Sequence, residues 1–161
     1  MNDRDNNWLQ YLLDEIWDEY FSEVDQNNIV RIEYGRKAKR RLGSIRIDPS
    51  DMETSIITIN RIFSQEEIPE YVVRATIVHE LSHYAHGFNS PLVQKKNHPH
   101  AGGVMKREFA ERGLLELYLK QKSWLRQHWP EVVARNFTAR TITRKSVLKK
   151  RLQIPKPFWF I

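Results

Sequence analysis

The chain has 161 residues, a net charge of +6, 40% hydrophobic residues and 29% charged residues, the composition of a soluble globular protein large enough for one domain with a real core. No apolar run approaches a membrane span, and the opening Met1-Asn2-Asp3-Arg4-Asp5 lacks the basic and apolar regions of a secretory signal. There is no cysteine, which excludes disulfides, thiolate zinc sites and iron–sulfur clusters, leaves His, Asp and Glu as metal ligands, and fits an intracellular location.

The charge is unevenly spread. All 20 acidic residues lie in 1–131 against 18 Lys and Arg, whereas 132–161 holds 8 Lys and Arg and no acid. The sequence therefore divides into a slightly acidic body, 1–131, and a basic, aromatic-containing C-terminal segment, 132–161.

Residues 8–24 carry apolar pairs at Trp8/Leu9, Leu12/Leu13, Ile16/Trp17 and Tyr20/Phe21. That spacing predicts an amphipathic helix with its tryptophans in the core. Three short β-rich runs follow, Ile29 to Tyr34, Gly43 to Asp48 and Ser55 to Asn60, which predict a small three-stranded antiparallel sheet. The connection between the first two is basic, with Arg36, Lys37, Lys39, Arg40 and Arg41. Ser64-Gln65-Glu66-Glu67 has the pattern of a capping box, with Pro69 in the first turn of a buried helix that runs through Val72, Val73, Ala75, Ile77 and Val78 to a stop near Gly87.

That helix contains His79-Glu80-Leu81-Ser82-His83. Residues four apart on a helix lie on one face, so both imidazoles can share one Zn²⁺. Glu80, one residue after the first histidine, is placed to act on a metal-bound water as a general base. This is the ligand layout of a zinc-dependent hydrolase. A catalytic zinc takes three protein ligands and a water, and two sources for the third remain open. One is a histidine of His98-Pro99-His100-Ala101-Gly102-Gly103, before a helix predicted over Val104 to Lys120; the other is a glutamate of that helix, Glu108 or Glu111. The extended metzincin pattern needs Gly and His where this chain has His86 and Asn89. Trp124, Trp129 and Pro130-Glu131 predict one more short helix.

The order of these features resembles the SprT-like zinc metallopeptidases, the family that includes Spartan. It shows a helix, a small sheet, HExxH, a loop, and a third histidine opening another helix in an H-G-x-x-Φ frame (Φ apolar). His100-Ala101-Gly102-Gly103-Val104 fits that frame with Ala101 in place of the usual Gly, and the resemblance spans roughly 8–120. Bacterial members often add a cysteine zinc ribbon, for which this chain has no residues. The resemblance implies an α+β, zincin-like fold, with His79, His83 and His100 on zinc and Glu80 as the base. It also implies a zinc endopeptidase that acts on DNA-bound or crosslinked proteins in DNA repair. His98, Glu108 and Glu111 stand as alternative ligands.

The C-terminal segment interleaves Arg140, Arg144, Lys145, Lys149, Lys150 and Arg151 with Phe137, Phe158, Trp159 and Phe160. Cations neutralise phosphates and aromatic rings stack on unpaired bases; the segment alone reads equally as a solvated basic stretch whose aromatic end docks on the domain, and the resemblance to the DNA-associated SprT-like peptidases implies that these residues contact single-stranded or damaged DNA. Two other functions are compatible with the sequence: a zinc peptidase with no nucleic-acid role, and a non-catalytic zinc-containing DNA-binding or interaction protein.

Overall fold

The computed structural model of the protein describes residues 4–95 and 101–138. Helix α1, Asn6–Tyr20, is capped by the Asp5 carboxylate, which accepts from the Trp8 amide at 2.9 Å. It buries Leu9, Leu12, Leu13 and Ile16, while Trp8 and Trp17 pack half-buried against the same core. The tryptophans are packing residues, as their spacing predicts.

The strands β1, Val30–Tyr34, β2, Gly43–Ile47, and β3, Ser55–Ile59, form one sheet in the order β1-β3-β2. β2 pairs with β3 antiparallel and β1 pairs with β3 parallel. The sheet is thus mixed, which corrects the all-antiparallel expectation. The physical reason is the 35–42 connection. It crosses the end of β3, roughly 10 Å or two strand spacings, and sets β2 on the far side instead of turning back beside β1. Asn60 holds that crossing. Its side-chain amide donates to the Ala38 and Arg41 carbonyls at 2.7 and 2.8 Å, and its backbone N–H donates to the Leu42 carbonyl at 2.8 Å.

Helix α2, Glu70–Ala85, begins after Pro69 with no side-chain cap. The capping box predicted at Ser64 to Glu67 is not used. Asn60 instead caps a short 3-10 turn, Arg61–Ser64, accepting from the Ile62 amide at 3.0 Å, and Pro69 disfavours helical backbone at Ile68. α2 is buried on all sides, from Val72 and Val73 through Ala75 to Ala85, between the sheet, α1, α3 and α4. Its end is a Schellman turn at the predicted glycine. Gly87 has φ 82°, its N–H donates to the Tyr84 carbonyl at 3.0 Å, and the Phe88 N–H donates to the His83 carbonyl at 3.0 Å.

One helix was expected over Val104 to Lys120 and a second, short one after it. The chain instead forms α3, Val104–Glu111, and α4, Leu115–Thr138. Gly113, φ 74°, ends α3 by the same device, with the Leu114 N–H on the Phe109 carbonyl at 2.7 Å. Pro130 lies inside α4, where it cannot donate to the Arg126 carbonyl; the buried Leu125, Trp129, Val132 and Val133 hold the helix on the core through it. α4 thus crosses the compositional boundary at 131/132. Among the described residues no helix is long and apolar enough to cross a membrane.

Candidate metal and catalytic site

α2 brings His79 and His83 to one face, with ring centres 4.8 Å apart and planes at 70°. Two imidazoles bound tetrahedrally to one zinc at about 2.0–2.1 Å have centres roughly 5 Å apart. The ring spacing of the pair is that of two imidazoles on one ion. Both histidines are buried, at 3% and 7% exposure. The Phe88 ring lies edge-on to His83 at 6.0 Å, carried there by the Schellman turn.

Glu80 is 2% exposed. Burial pushes its carboxyl up to about 8, against an opposing pull from Arg41. Two elements set its position. Gly43, at the start of β2, leaves room for it: a Cβ there would stand 2.8 Å from Glu80 Oε1 and 2.9 Å from Thr76 Cγ2. One helical turn earlier, the buried Gln121 of α4 donates to Thr76 Oγ1 at 2.9 Å and to the Val72 carbonyl at 3.1 Å, fastening α4 to the helix that carries the motif. Neither Gly43 nor Gln121 was singled out from the sequence; no local pattern marks them, because their roles depend on strand order and helix docking.

Of the candidate third ligands, His98 and His100 lie outside the described residues, as do Arg140, Arg144, Lys145, Lys149, Lys150 and Arg151 of the expected DNA-binding segment. Glu108 and Glu111 are described. Glu111 is exposed on α3. Glu108 is buried and engaged elsewhere: its Oε2 lies 2.8 Å from His86 Nε2, and its Oε1 accepts from Arg112 Nε at 2.8 Å. His86 first, and then Arg112, lower its carboxyl to about 2. Arg112 also binds Glu23 at 2.7 Å and the Tyr20 carbonyl, and it covers the Phe21 ring at 3.7 Å. This cluster ties the end of α2 to α3 and to the segment after α1. Among the described residues, no three His, Asp or Glu side chains gather around one point; of the three ligands the resemblance implies, His79 and His83 are the described ones.

Tyr84, next to His83 in the chain, is a packing residue. It is fully buried, its hydroxyl donates to Asn28 Oδ1 at 2.8 Å, and its ring meets Trp17 edge-on at 5.2 Å. His128 is exposed on α4 beside Trp124.

No protein-family model, no curated protein and no solved structure matches the chain.

Proposed function

We propose that the protein is a zinc-dependent endopeptidase of SprT-like type, in which His79 and His83 hold the metal, His100 completes the set and Glu80 is the general base. The observation that carries this reading is the buried Glu80 beside two histidines at the spacing of a shared ion. A structural zinc site has no use for a buried carboxylate beside its two histidines. Zinc held by His79 and His83 would supply a Lewis acid that polarises a carbonyl and would bring the pKa of a bound water to about 7. Glu80 then takes the proton as water adds to the peptide carbonyl and hands it to the leaving amine. Gly43 leaves room for that carboxylate, and the Thr76–Gln121 contact fastens α4 to the helix that carries it. The engagement of both Glu108 oxygens by His86 and Arg112 favours a histidine over Glu108 as third ligand.

The proposal extends to DNA-bound or crosslinked proteins as substrates. Its support is the charge of the 132–161 segment and where that segment starts. The end of α4 meets the basic 35–42 connection: Lys37 donates to Asn136 at 2.8 Å, Lys39 lies 5.2 Å from the Phe137 ring centre, and Trp129 Nε1 donates to the Lys39 carbonyl at 2.9 Å. The described end of α4 thus lies beside a second group of cations. The test is cleavage of a histone by the zinc-loaded chain with and without single-stranded DNA. Cleavage that rises with DNA and falls with added salt is expected; equal cleavage in both conditions identifies a peptidase with no nucleic-acid role.

A further inference from the structure

The other face of Gly43's surroundings holds a feature that the metal site does not use. A cavity of about 570 Å³ lies between the 35–42 connection and the end of the sheet, with Leu42, Gly43 and Ile59 in its wall and Arg36, Arg40 and Arg41 around it. The three arginines are exposed. Among the described residues, none of their guanidinium groups forms an ion pair with a carboxylate. Lys39, also at the cavity, is turned toward Phe137.

The cavity is lined by the start of β2 and the end of β3. β2 is an outer strand, and the bond from the Asn60 N–H to the Leu42 carbonyl fixes its alternation: Leu42, Ser44 and Arg46 face β3, while Gly43, Ile45 and Ile47 face outward. The Ile45 carbonyl is taken by the Asn89 side-chain amide at 3.0 Å. Gly43, the outward residue nearest the cavity, has no backbone partner among the described residues. An extended peptide laid along β2 would run past Gly43, which lies against Glu80, and would bring one side chain toward the arginines.

We infer that this cavity is a specificity pocket for an acidic side chain, Asp or Glu, of the peptide being cleaved. The inference rests on the peptidase reading above. Guanidinium groups bind carboxylates through paired hydrogen bonds, and an apolar wall strengthens them. A nucleic-acid strand is held along a groove that follows successive phosphates; a single cavity at one strand end holds one anion, which favours the peptide.

The experiment measures fluorescence anisotropy of a labelled Ala/Ser peptide bearing one Glu, and of its Gln counterpart. Each is titrated with zinc-loaded full-length Glu80→Gln protein and with the same protein carrying Arg36→Ala and Arg40→Ala. The Glu peptide is expected to bind about tenfold tighter, with the preference gone in the arginine variant. Equal affinity for the two peptides overturns the pocket, and so does a preference that survives the arginine substitutions. Also fatal is a single-stranded oligothymidylate that loses about tenfold in affinity in that variant while the peptides are not distinguished, since the cavity is then a phosphate site. If wild type cleaves neither peptide yet Glu80→Gln keeps the arginine-dependent Glu preference, the peptidase reading falls and the pocket stands.

Discussion

Gly43 and Glu80 are in contact across two elements: the missing side chain of one is the space occupied by the carboxylate of the other, with only 2.8 Å from the ideal Cβ position to Oε1. Adding a methyl group at Gly43 must displace Glu80 or Thr76, both held in a packed interior. Gly43→Ala is expected to lower turnover by roughly tenfold to a hundredfold, as small displacements of a positioned catalytic group do, while zinc content stays at wild-type level. Overpacking adds a stability loss of about 1–3 kcal/mol. Turnover, metal analysis and a thermal melt on one preparation check all three.

Glu80 also gives the zinc-free protein a pH dependence of defined sign. Its carboxyl titrates near 4.5 when unfolded and at about 8 when folded. Its contribution to stability is therefore whole below pH 4.5 and is lost as pH rises toward 8, because the unfolded chain releases the proton first. Chelator-treated wild type is expected to melt lower at pH 8 than at pH 5. Glu80→Gln, which carries no ionisable group there, flattens that slope; a slope unchanged by the substitution contradicts the assignment.

Glu108 acts in the opposite direction. His86 and Arg112 hold its carboxyl near 2 in the folded chain, against 4.5 as the ordinary value. The stability it contributes is present above pH 4.5 and is lost as pH falls toward 2. Glu108→Gln is expected to cost about 1–3 kcal/mol at pH 7, with the difference from wild type shrinking in acid, and to leave zinc binding unchanged. Loss of zinc from this variant would instead support a glutamate as third ligand.

Gly87 closes α2 with φ 82°, and a Cβ there would lie 2.6 Å from the Gln94 backbone. Left-handed backbone alone costs a non-glycine residue about 1–2 kcal/mol, and here backbone rather than a movable side chain blocks the space. Gly87→Ala is expected to destabilise by more than that amount. Because the same turn places Phe88 beside His83, it is also expected to weaken zinc affinity. A denaturant titration and a competitive zinc titration measure the two effects.

How far the sequence reaches differs by element. α1, the positions of the three strands, and α2 with its end at Gly87 follow from apolar spacing and one glycine, since these are local signals. Sheet order does not, because it depends on where the 35–42 connection is pinned, and the pin, Asn60, lies at the far end of β3. The break between α3 and α4 was readable: Gly113 has the conformation that stops a helix, but the apolar pattern continues past it. Pro130 pointed the other way, to a helix start, and tertiary packing of Trp129, Val132 and Val133 overrode it. At the site, the i, i+4 spacing marks His79, Glu80 and His83. Gly43, which gives Glu80 its room, and Gln121, which fastens α4 to α2, come from distant parts of the chain and carry no motif.

The most direct test of the central claim compares wild type with Glu80→Gln for two quantities in the same preparation, zinc bound per chain and cleavage of a basic DNA-binding protein. The account predicts that both proteins hold one zinc per chain and that the substitution lowers cleavage by about a hundredfold or more, the usual scale of a lost general base. Cleavage that survives in Glu80→Gln, or a wild-type chain that binds no zinc, contradicts it.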